Sequence, residues 1–190
     1  AGIGSFHGKE ERDLAGRYVC PGFIDSHLHL ESTLVTPAEL VTAASRHGTT
    51  TFIVDPHESA NVSGLAGIDY ILDQTEDVKA NVYVMMPSCV PATAIDDNGC
   101  TLTAEDMVPY LHNSRILGLG EVMDSISVVQ GEKSMHDKLE LFEGRIRDGH
   151  APFLEEGDLQ AYAMAGIATD HECSFFDYAM RERRNGLTIL

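Results

Sequence analysis

Two histidines, His27 and His29, lie two positions apart after a short apolar run, in the stretch PGFIDSHLHLE of residues 21–31. Alternate side chains of a β-strand point to the same face, so both imidazoles can approach one metal ion. Neutral imidazole is a good ligand for zinc, manganese or iron. By itself, however, this pair is a weak indication of a metal site, because so short a motif often matches by chance.

More polar side chains lie where later apolar runs end. Because the carboxyl ends of parallel strands meet on one face of a barrel, side chains at these ends are expected to converge. Four histidines and a glutamate at matching strand ends predict a metal site much more strongly than the first pair does alone. The further residues at these strand ends are Asp55, His57, Glu58, Glu121, His150 and His171.

The segments that carry these residues alternate regularly between apolar strands and helices. One predicted helix begins with Thr36 and Pro37 and ends at Gly48, and a later helix opens with a capping box from Thr103 to Asp106. Such alternation predicts an α/β fold with a parallel sheet, which is either doubly wound or a (β/α)8 barrel of the TIM type.

The barrel is the better prediction of the two. No Gly-x-Gly-x-x-Gly turn follows the first strand, as a dinucleotide-binding sheet would require. Six strand–helix units lead into a seventh strand. A complete barrel takes about 250 residues, so we expect an incomplete barrel with six to seven strands.

The composition restricts the partners of the protein. Its 190 residues include 13 Lys and Arg against 30 Asp and Glu, a formal net charge of −17. This balance argues against nucleic acids and anionic membranes as partners. No stretch reaches the ~18 consecutive apolar residues that span a bilayer. The four cysteines lie far apart and are expected to be reduced thiols, which predicts a soluble, cytoplasmic protein.

Six motifs of the chain, taken in order, resemble those of the bacterial adenine deaminases, a family of the metal-dependent amidohydrolase superfamily. They are PGFIDSHLHLE, TTTFIVDPHE, PSCVPAT, LGLGE, DGHAP and TDHE, and the resemblance extends from about residue 16 to residue 190. The His-x-His motif belongs to the superfamily broadly, whereas DPHE, PSCVPAT and DHEC in this order are more particular to adenine deaminases. The resemblance implies a (β/α)8 barrel with a small β-sandwich beside it.

The resemblance also implies two divalent metal ions, manganese or iron, with zinc as a further possibility. His27 and His29 would hold the first ion, Glu121 would bridge the two ions, and His150 and His171 would hold the second. Many members of the superfamily use a carboxylated lysine as the bridge instead. None of the four lysines follows a predicted strand, so a glutamate bridge is the option that this sequence offers.

The function implied by the resemblance is hydrolytic deamination of adenine to hypoxanthine and ammonia, a reaction of purine salvage. The expected nucleophile is a hydroxide that bridges the two metal ions. Glu172, Glu58 and His57 are the candidates for catalytic proton transfer, although each could equally serve to orient the metal ligands. Ser88 and Cys89, in PSCVPAT, are candidates for binding the purine, and Cys89 could instead pack in the core.

Two alternatives to adenine deamination stay open. The protein could be another cyclic amidohydrolase or aminohydrolase with the same barrel and metal site. It could also be an inactive barrel fragment that acts as a scaffold, because the aspartate that the superfamily carries at the end of strand eight is not in this chain.

The resemblance divides the chain in two. Residues 1–16 are expected to be the remnant of the β-sandwich, and residues 17–190 the N-terminal majority of the barrel. A barrel that lacks strands leaves sheet edges unpaired, so we also expect a homo-oligomer.

Overall fold

The computed structural model describes residues 2–190, in which strands and helices alternate. The strands are β1 Phe23–Leu28, β2 Thr49–Val54, β3 Asn81–Met86, β4 Ile116–Val122, β5 Ile146–Gly149, β6 Thr169–Asp170 and β7 Thr188–Ile189. The α-helices are α1 Pro37–Ser45, α2 His57–Ser63, α3 Leu65–Gln74, α4 Ala104–Met107, α5 Ser125–Gln130, α6 Lys133–Leu141, α7 Glu156–Met164 and α8 Phe176–Arg184. Short 3-10 helices cover Glu31–Thr33 and Val108–His112.

The sheet follows the order of the chain. Strands β1 to β5 are all parallel to their neighbours and form one five-stranded sheet, and β6 and β7 form a second parallel pair. The amide of Ala168, just before β6, donates to the carbonyl of Arg147 in β5 at 3.0 Å, which joins the pair to the larger sheet. This curled parallel sheet confirms the predicted fold class, an incomplete barrel of the TIM type.

The helix boundaries follow local signals in the sequence. Helix α1 begins at Pro37 after Thr36, as predicted, and Gly48 then turns the chain into β2 with φ at +103°. At α4, the Thr103 hydroxyl accepts the amide of Asp106 and the Asp106 carboxylate accepts the amide of Thr103, which confirms the capping box. These contacts satisfy amide groups that have no partner within the helix.

The first strand is short. It covers only residues 23–28 of the stretch PGFIDSHLHLE, residues 21–31. Residues 2–22 contain neither helix nor strand and are exposed. The assignment of residues 1–16 to the remnant of a β-sandwich stays a prediction. Ala1 lies outside the described residues.

The core lies on both faces of the sheet. Val54, Val84 and Leu119, in the middle strands, are fully buried, as are Ile68 and Leu159 on the surrounding helices. Strands that are covered on both faces carry nearly continuous apolar runs, which is the pattern of β2 to β4. Among residues 2–190, no helix is both long enough and apolar enough to cross a membrane.

A shift in the register between β1 and β2 distorts β1 around His27. Asp25 and Leu28 pair with Phe52 and Val54 of β2, so β1 has one residue more than β2 across this segment. Bulges of this kind turn a side chain toward a new direction and are frequent beside functional sites. Here the bulge includes His27.

Candidate metal centre

Glu121, at the carboxyl end of β4, lies in the middle of a group of imidazoles and is only 3% exposed. Its Oε1 is 2.9 Å from His57 Nδ1 and 3.3 Å from His29 Nε2. Its Oε2 is 2.9 Å from His150 Nδ1 and 3.3 Å from His171 Nε2. Each carboxylate oxygen therefore faces a different set of imidazoles, as a carboxylate between two ions would.

His27 and His29 are oriented by hydrogen bonds on the far side of their rings. His27 Nδ1 donates to the Asp148 carboxylate at 2.9 Å, and His29 Nδ1 donates to the backbone carbonyl of Asp55 at 2.8 Å. A neutral imidazole carries one proton, so Nε2 of each ring is left with a lone pair.

The two Nε2 atoms lie only 3.1 Å apart. Since both are acceptors in these tautomers, they repel each other until a cation or a proton lies between them. The side chains present at this position therefore fit a bound metal ion, which neutral imidazoles oriented in this way bind well.

The ionisation of the centre also favours a bound cation. Burial alone would raise the pKa of Glu121, but hydrogen bonds from His150, His171 and His57 hold its pKa far below the ordinary value. Burial alone would lower the pKa of His57, but its hydrogen bond to Glu121 and the charge of Asp55 raise that pKa to about 9. The buried Glu121 carboxylate therefore stays ionised, and its negative charge favours a cation beside it.

A bulge and a glycine place Glu121 in this position. The register with β5 shifts between Leu119 and Val122, so β4 bulges around Glu121. The Glu121 amide donates to Asp55 Oδ2 at 2.8 Å, and burial raises the pKa of Asp55 well above its ordinary value. A Cβ on Gly120 would lie 2.3 Å from the same oxygen, so only glycine lets the Asp55 carboxylate come this close.

Asp148, which the sequence pattern did not single out, also contacts the centre. It is 3% exposed and holds His27 through Oδ2, while Oδ1 accepts the Gly149 amide and the Thr169 hydroxyl. It lies 3.8 Å from His171 Nδ1 as well. The signal was available, because Asp148 is two positions before His150 on the same strand end and alternate residues share a face.

Tyr162, on α7, is a second residue that was not predicted. Its hydroxyl donates to the carbonyl of Val122 at 2.6 Å and accepts the amide of His150 at 2.9 Å. It thereby ties the end of β4 to the residue that follows β5. No local pattern in the sequence distinguishes this tyrosine from an ordinary core residue.

The three candidates for proton transfer take different positions. The side chain of Glu172 is 45% exposed, and its Oε1 is 4.0 Å from both His150 Nδ1 and His171 Nε2, at the rim of the centre. Glu58 is exposed and accepts a hydrogen bond from Ser32. His57 contacts Glu121 directly, which is the position of a metal ligand as much as that of a proton carrier.

Ser88 and Cys89, the candidates for purine binding, are both buried after β3. The Ser88 hydroxyl donates to the Glu121 carbonyl at 2.5 Å, and Lys138 donates to the Ser88 carbonyl at 2.6 Å. Both candidates line a cavity of about 810 Å³ to which, among residues 2–190, neither the five histidines nor Glu121 contribute. Ser88 therefore contacts the centre through the backbone of Glu121, and purine binding by Ser88 and Cys89 stays a prediction.

The residues at the strand ends form three overlapping groups of possible ligand atoms, in each of which the atoms lie within 4.8 Å of one another. Nitrogen and carboxylate oxygen donors of this kind suit zinc, manganese and iron. A parallel barrel sheet with such a centre at its strand ends is typical of metal-dependent barrel hydrolases. The groups are His27, Glu121 and His171; His29, His57 and Glu121; and His150, His171 and Glu172.

Comparison with known proteins identifies one family within the class of metal-dependent barrel hydrolases. Residues 18–186 match the amidohydrolase family, and the chain belongs to that family, whose members bind divalent metal ions. It is 60% identical over 189 residues to an adenine deaminase of Desulfitobacterium hafniense (strain Y51), covering 100% of the chain and 33% of that protein.

Two further relatives carry the same name. The chain is 47% identical to an adenine deaminase of Clostridium acetobutylicum, covering 99% of the chain and 33% of the relative. It is 46% identical to an adenine deaminase of Methanoculleus marisnigri, covering 100% of the chain and 36% of the relative. The chain thus spans about a third of the length of these curated relatives.

Proposed function

We propose that the protein is an adenine deaminase and that this chain carries its metal centre. The observation that supports the proposal best is the Glu121 carboxylate, whose two oxygens face different imidazoles. The relatives named adenine deaminase support the choice of substrate. The reaction would convert adenine and water to hypoxanthine and ammonia. Purine salvage in the cytoplasm is the process in which we place it.

Two divalent ions, manganese or iron with zinc as a further possibility, would occupy the centre. We assign His27 and His29 to one ion and His150 and His171 to the other, with Glu121 as the bridge. A divalent ion held here would lower the pKa of a water ligand to near neutrality and so supply a nucleophile at neutral pH. His57 contacts the Glu121 oxygen on the side of His29 and is a further candidate ligand there.

The protein side chains must also move protons. The adenine ring has to gain a proton at N1 as water adds to C6, and the amino group has to leave as ammonia. Glu172 is our choice for this transfer, because its carboxylate is half exposed at the rim and lies within 4.0 Å of two of the histidines. Glu58 is a weaker choice, because its carboxylate is already bonded to Ser32.

Two residues around the centre would act by orienting ligands. Asp148 and the Asp55 carbonyl fix the proton of His27 and His29 on Nδ1, which leaves Nε2 free to bind an ion. Changing such partners of metal ligands typically lowers metal affinity or activity 10- to 100-fold.

The test of the substrate is ammonia release by the Mn²⁺-loaded protein at its full encoded length. We expect adenine to be converted faster than guanine or cytosine, and dihydroorotate not to be opened. If one of the other compounds is converted and adenine is not, the protein is a different cyclic amidohydrolase or aminohydrolase. If none is converted although the metal is bound, the scaffold alternative holds.

The test of the assigned ligands is metal content. Replacing His27 and His29 by alanine is expected to remove bound metal, since two of the imidazole ligands are lost. His112→Ala, at an exposed histidine outside the centre, is the matched control and is expected to keep its metal. Unchanged metal content in the double variant would contradict the assignment.

A further inference from the structure

A second group of potential ligands lies outside the centre around Glu121. It consists of Asp170 at the end of β6, Cys173 in the loop that follows, and Glu182 on α8, with one ligand atom from each within 4.8 Å of the others. Asp170 and Glu182 are both 0% exposed, and Cys173 is partly buried. Two buried carboxylates and a thiol thus meet between a strand end and a helix.

Glu182 is the unusual member of this group. Both of its carboxylate oxygens are buried and have no hydrogen-bond partner among the described residues. The neighbouring Arg181 does not donate to Glu182, because its guanidinium donates to the carboxylate of Glu156 and to the carbonyl of Leu154. A buried carboxylate without a hydrogen-bond donor is strongly unfavourable unless it takes up a proton or a positive charge lies beside it.

Asp170 brings no positive charge to Glu182, and both of its carboxyl oxygens accept backbone amides. Its Oδ1 accepts the amide of Ala151 at 2.7 Å, and its Oδ2 accepts the amide of Glu172 at 3.0 Å. Glu182 therefore faces a second buried carboxyl group, and a cation between the two would offset the burial of both.

We propose that Asp170, Cys173 and Glu182 form an additional divalent-cation site, distinct from the centre around Glu121. Its ligands join the loop after β6 to α8, so a bound ion would fix the segment that also carries His171. The inference does not depend on adenine being the substrate.

The ligand types indicate which ion would bind. Thiolate and carboxylate together suit zinc, whereas magnesium and calcium prefer oxygen ligands alone. On binding, the Cys173 thiol would lose its proton to solvent and coordinate as a thiolate. Three protein ligands leave a fourth position of a tetrahedral zinc ion to water, which can enter because Cys173 is partly exposed.

Cobalt substitution provides a direct test, because a thiolate bound to Co²⁺ gives a charge-transfer absorption band that imidazole and carboxylate ligands do not give. No cysteine belongs to the ligand groups around Glu121, as far as residues 2–190 define them, so the band would report on this site alone. The protein at its full encoded length, reconstituted with Co²⁺, is expected to show this band and to lose it in Cys173→Ser.

Metal analysis of the zinc-loaded protein gives a second readout. Glu182→Gln keeps the shape of the side chain and is expected to lose one ion per chain, while the ions of the histidine centre stay. Cys100→Ser, at another partly buried cysteine, is the matched control and should keep both the ion and the cobalt band.

Two results would overturn the proposal. One is the absence of a thiolate-to-cobalt band in the unaltered protein. The other is an ion count that Glu182→Gln leaves unchanged, which would mean that a shared proton and not a metal ion compensates the two carboxylates. Neither readout measures adenine deamination, so failure here is distinguishable from failure of the proposed function.

Discussion

At the level of single residues, the charge of Glu121 organises the candidate centre. Five imidazoles lie within 3.9 Å of its two oxygens, and hydrogen bonds from three of them hold its pKa low. The same oxygens are the positions from which a carboxylate would bridge two ions. A substitution that keeps the shape of the Glu121 side chain but removes its charge therefore tests the role of the charge alone.

Glu121→Gln is predicted to lower metal content strongly and to abolish deamination. Glutamine fills the same space but carries no negative charge, and its amide nitrogen cannot accept a metal ion. Metal analysis and ammonia release are the measurements. Glu140→Gln, at an exposed glutamate on α6, should behave like the unaltered protein, and equal metal content in the two variants would contradict a role of Glu121 as ligand.

Asp148→Asn is predicted to weaken metal binding by about 10- to 100-fold. Oδ1 already accepts two donors, so the amide nitrogen of asparagine would face His27 Nδ1 and force its proton onto Nε2, where the ion should bind. The measurement is the metal affinity from competition with a chelator. Asp137→Asn, a carboxylate bonded to Lys133 on the surface of α6, is the control, and equal affinities in both variants would argue against this role.

At the level of secondary-structure elements, the ends of β1 and β4 matter because both are bulged where they carry candidate metal ligands. Alternation along a regular strand already places His27 and His29 on one face. The bulges set the direction in which His27 and Glu121 leave the sheet. The close approach of Asp55 to the bulge in β4 depends on the glycine that precedes Glu121.

Gly120→Ala is predicted to destabilise the fold by about 1–3 kcal/mol. The new Cβ would lie 2.3 Å from Asp55 Oδ2, so the Asp55 carboxylate must leave the Glu121 amide. Denaturant unfolding measures the change, and metal content should fall with it. Gly157→Ala on α7 is the control, because its Cβ would meet no atom within 4 Å, and equal stability of the two variants would contradict this account.

At the level of the whole molecule, the centre connects strands that are far apart in the sequence. Glu121 of β4 contacts histidines that follow β1, β2, β5 and β6. A bound ion would therefore hold most of the sheet together at its carboxyl edge.

Removal of metal by a chelator is predicted to lower the melting temperature, and added Mn²⁺ is predicted to restore it. A ligand that binds only the folded state stabilises it by about 2.7 kcal/mol when its free concentration is 100 times Kd. Calorimetry with and without chelator is the measurement. Glu121→Gln should show a much smaller shift, and identical shifts in both proteins would place the stabilising metal elsewhere.

The outer strand β1 has only one sheet neighbour within residues 2–190, and Phe23 and Ile24 on it are 65% and 64% exposed. Apolar side chains on an open strand edge favour association with a further strand or a further copy. A homo-oligomer accordingly stays a prediction.

The sequence by itself determined which residues reach the centre. Spacing of two along a strand, together with the convergence of strand ends in a parallel barrel, was enough to bring His27, His29, Glu121, His150 and His171 together. The alternation of segments also predicted the fold class, because the apolar periodicities of strands and helices are local properties of the chain.

Only the tertiary structure decided how these residues are held and which others join them. The Asp148 carboxylate reaches His27 across 121 residues, and the amide of Glu121 reaches Asp55 across 66. The tertiary structure also decided that Ser88 and Cys89 are buried away from the histidines. It likewise left both carboxylate oxygens of Glu182 without a hydrogen-bond partner within residues 2–190. Contacts of this kind depend on strand order, bulges and burial, which no local spacing of residues encodes.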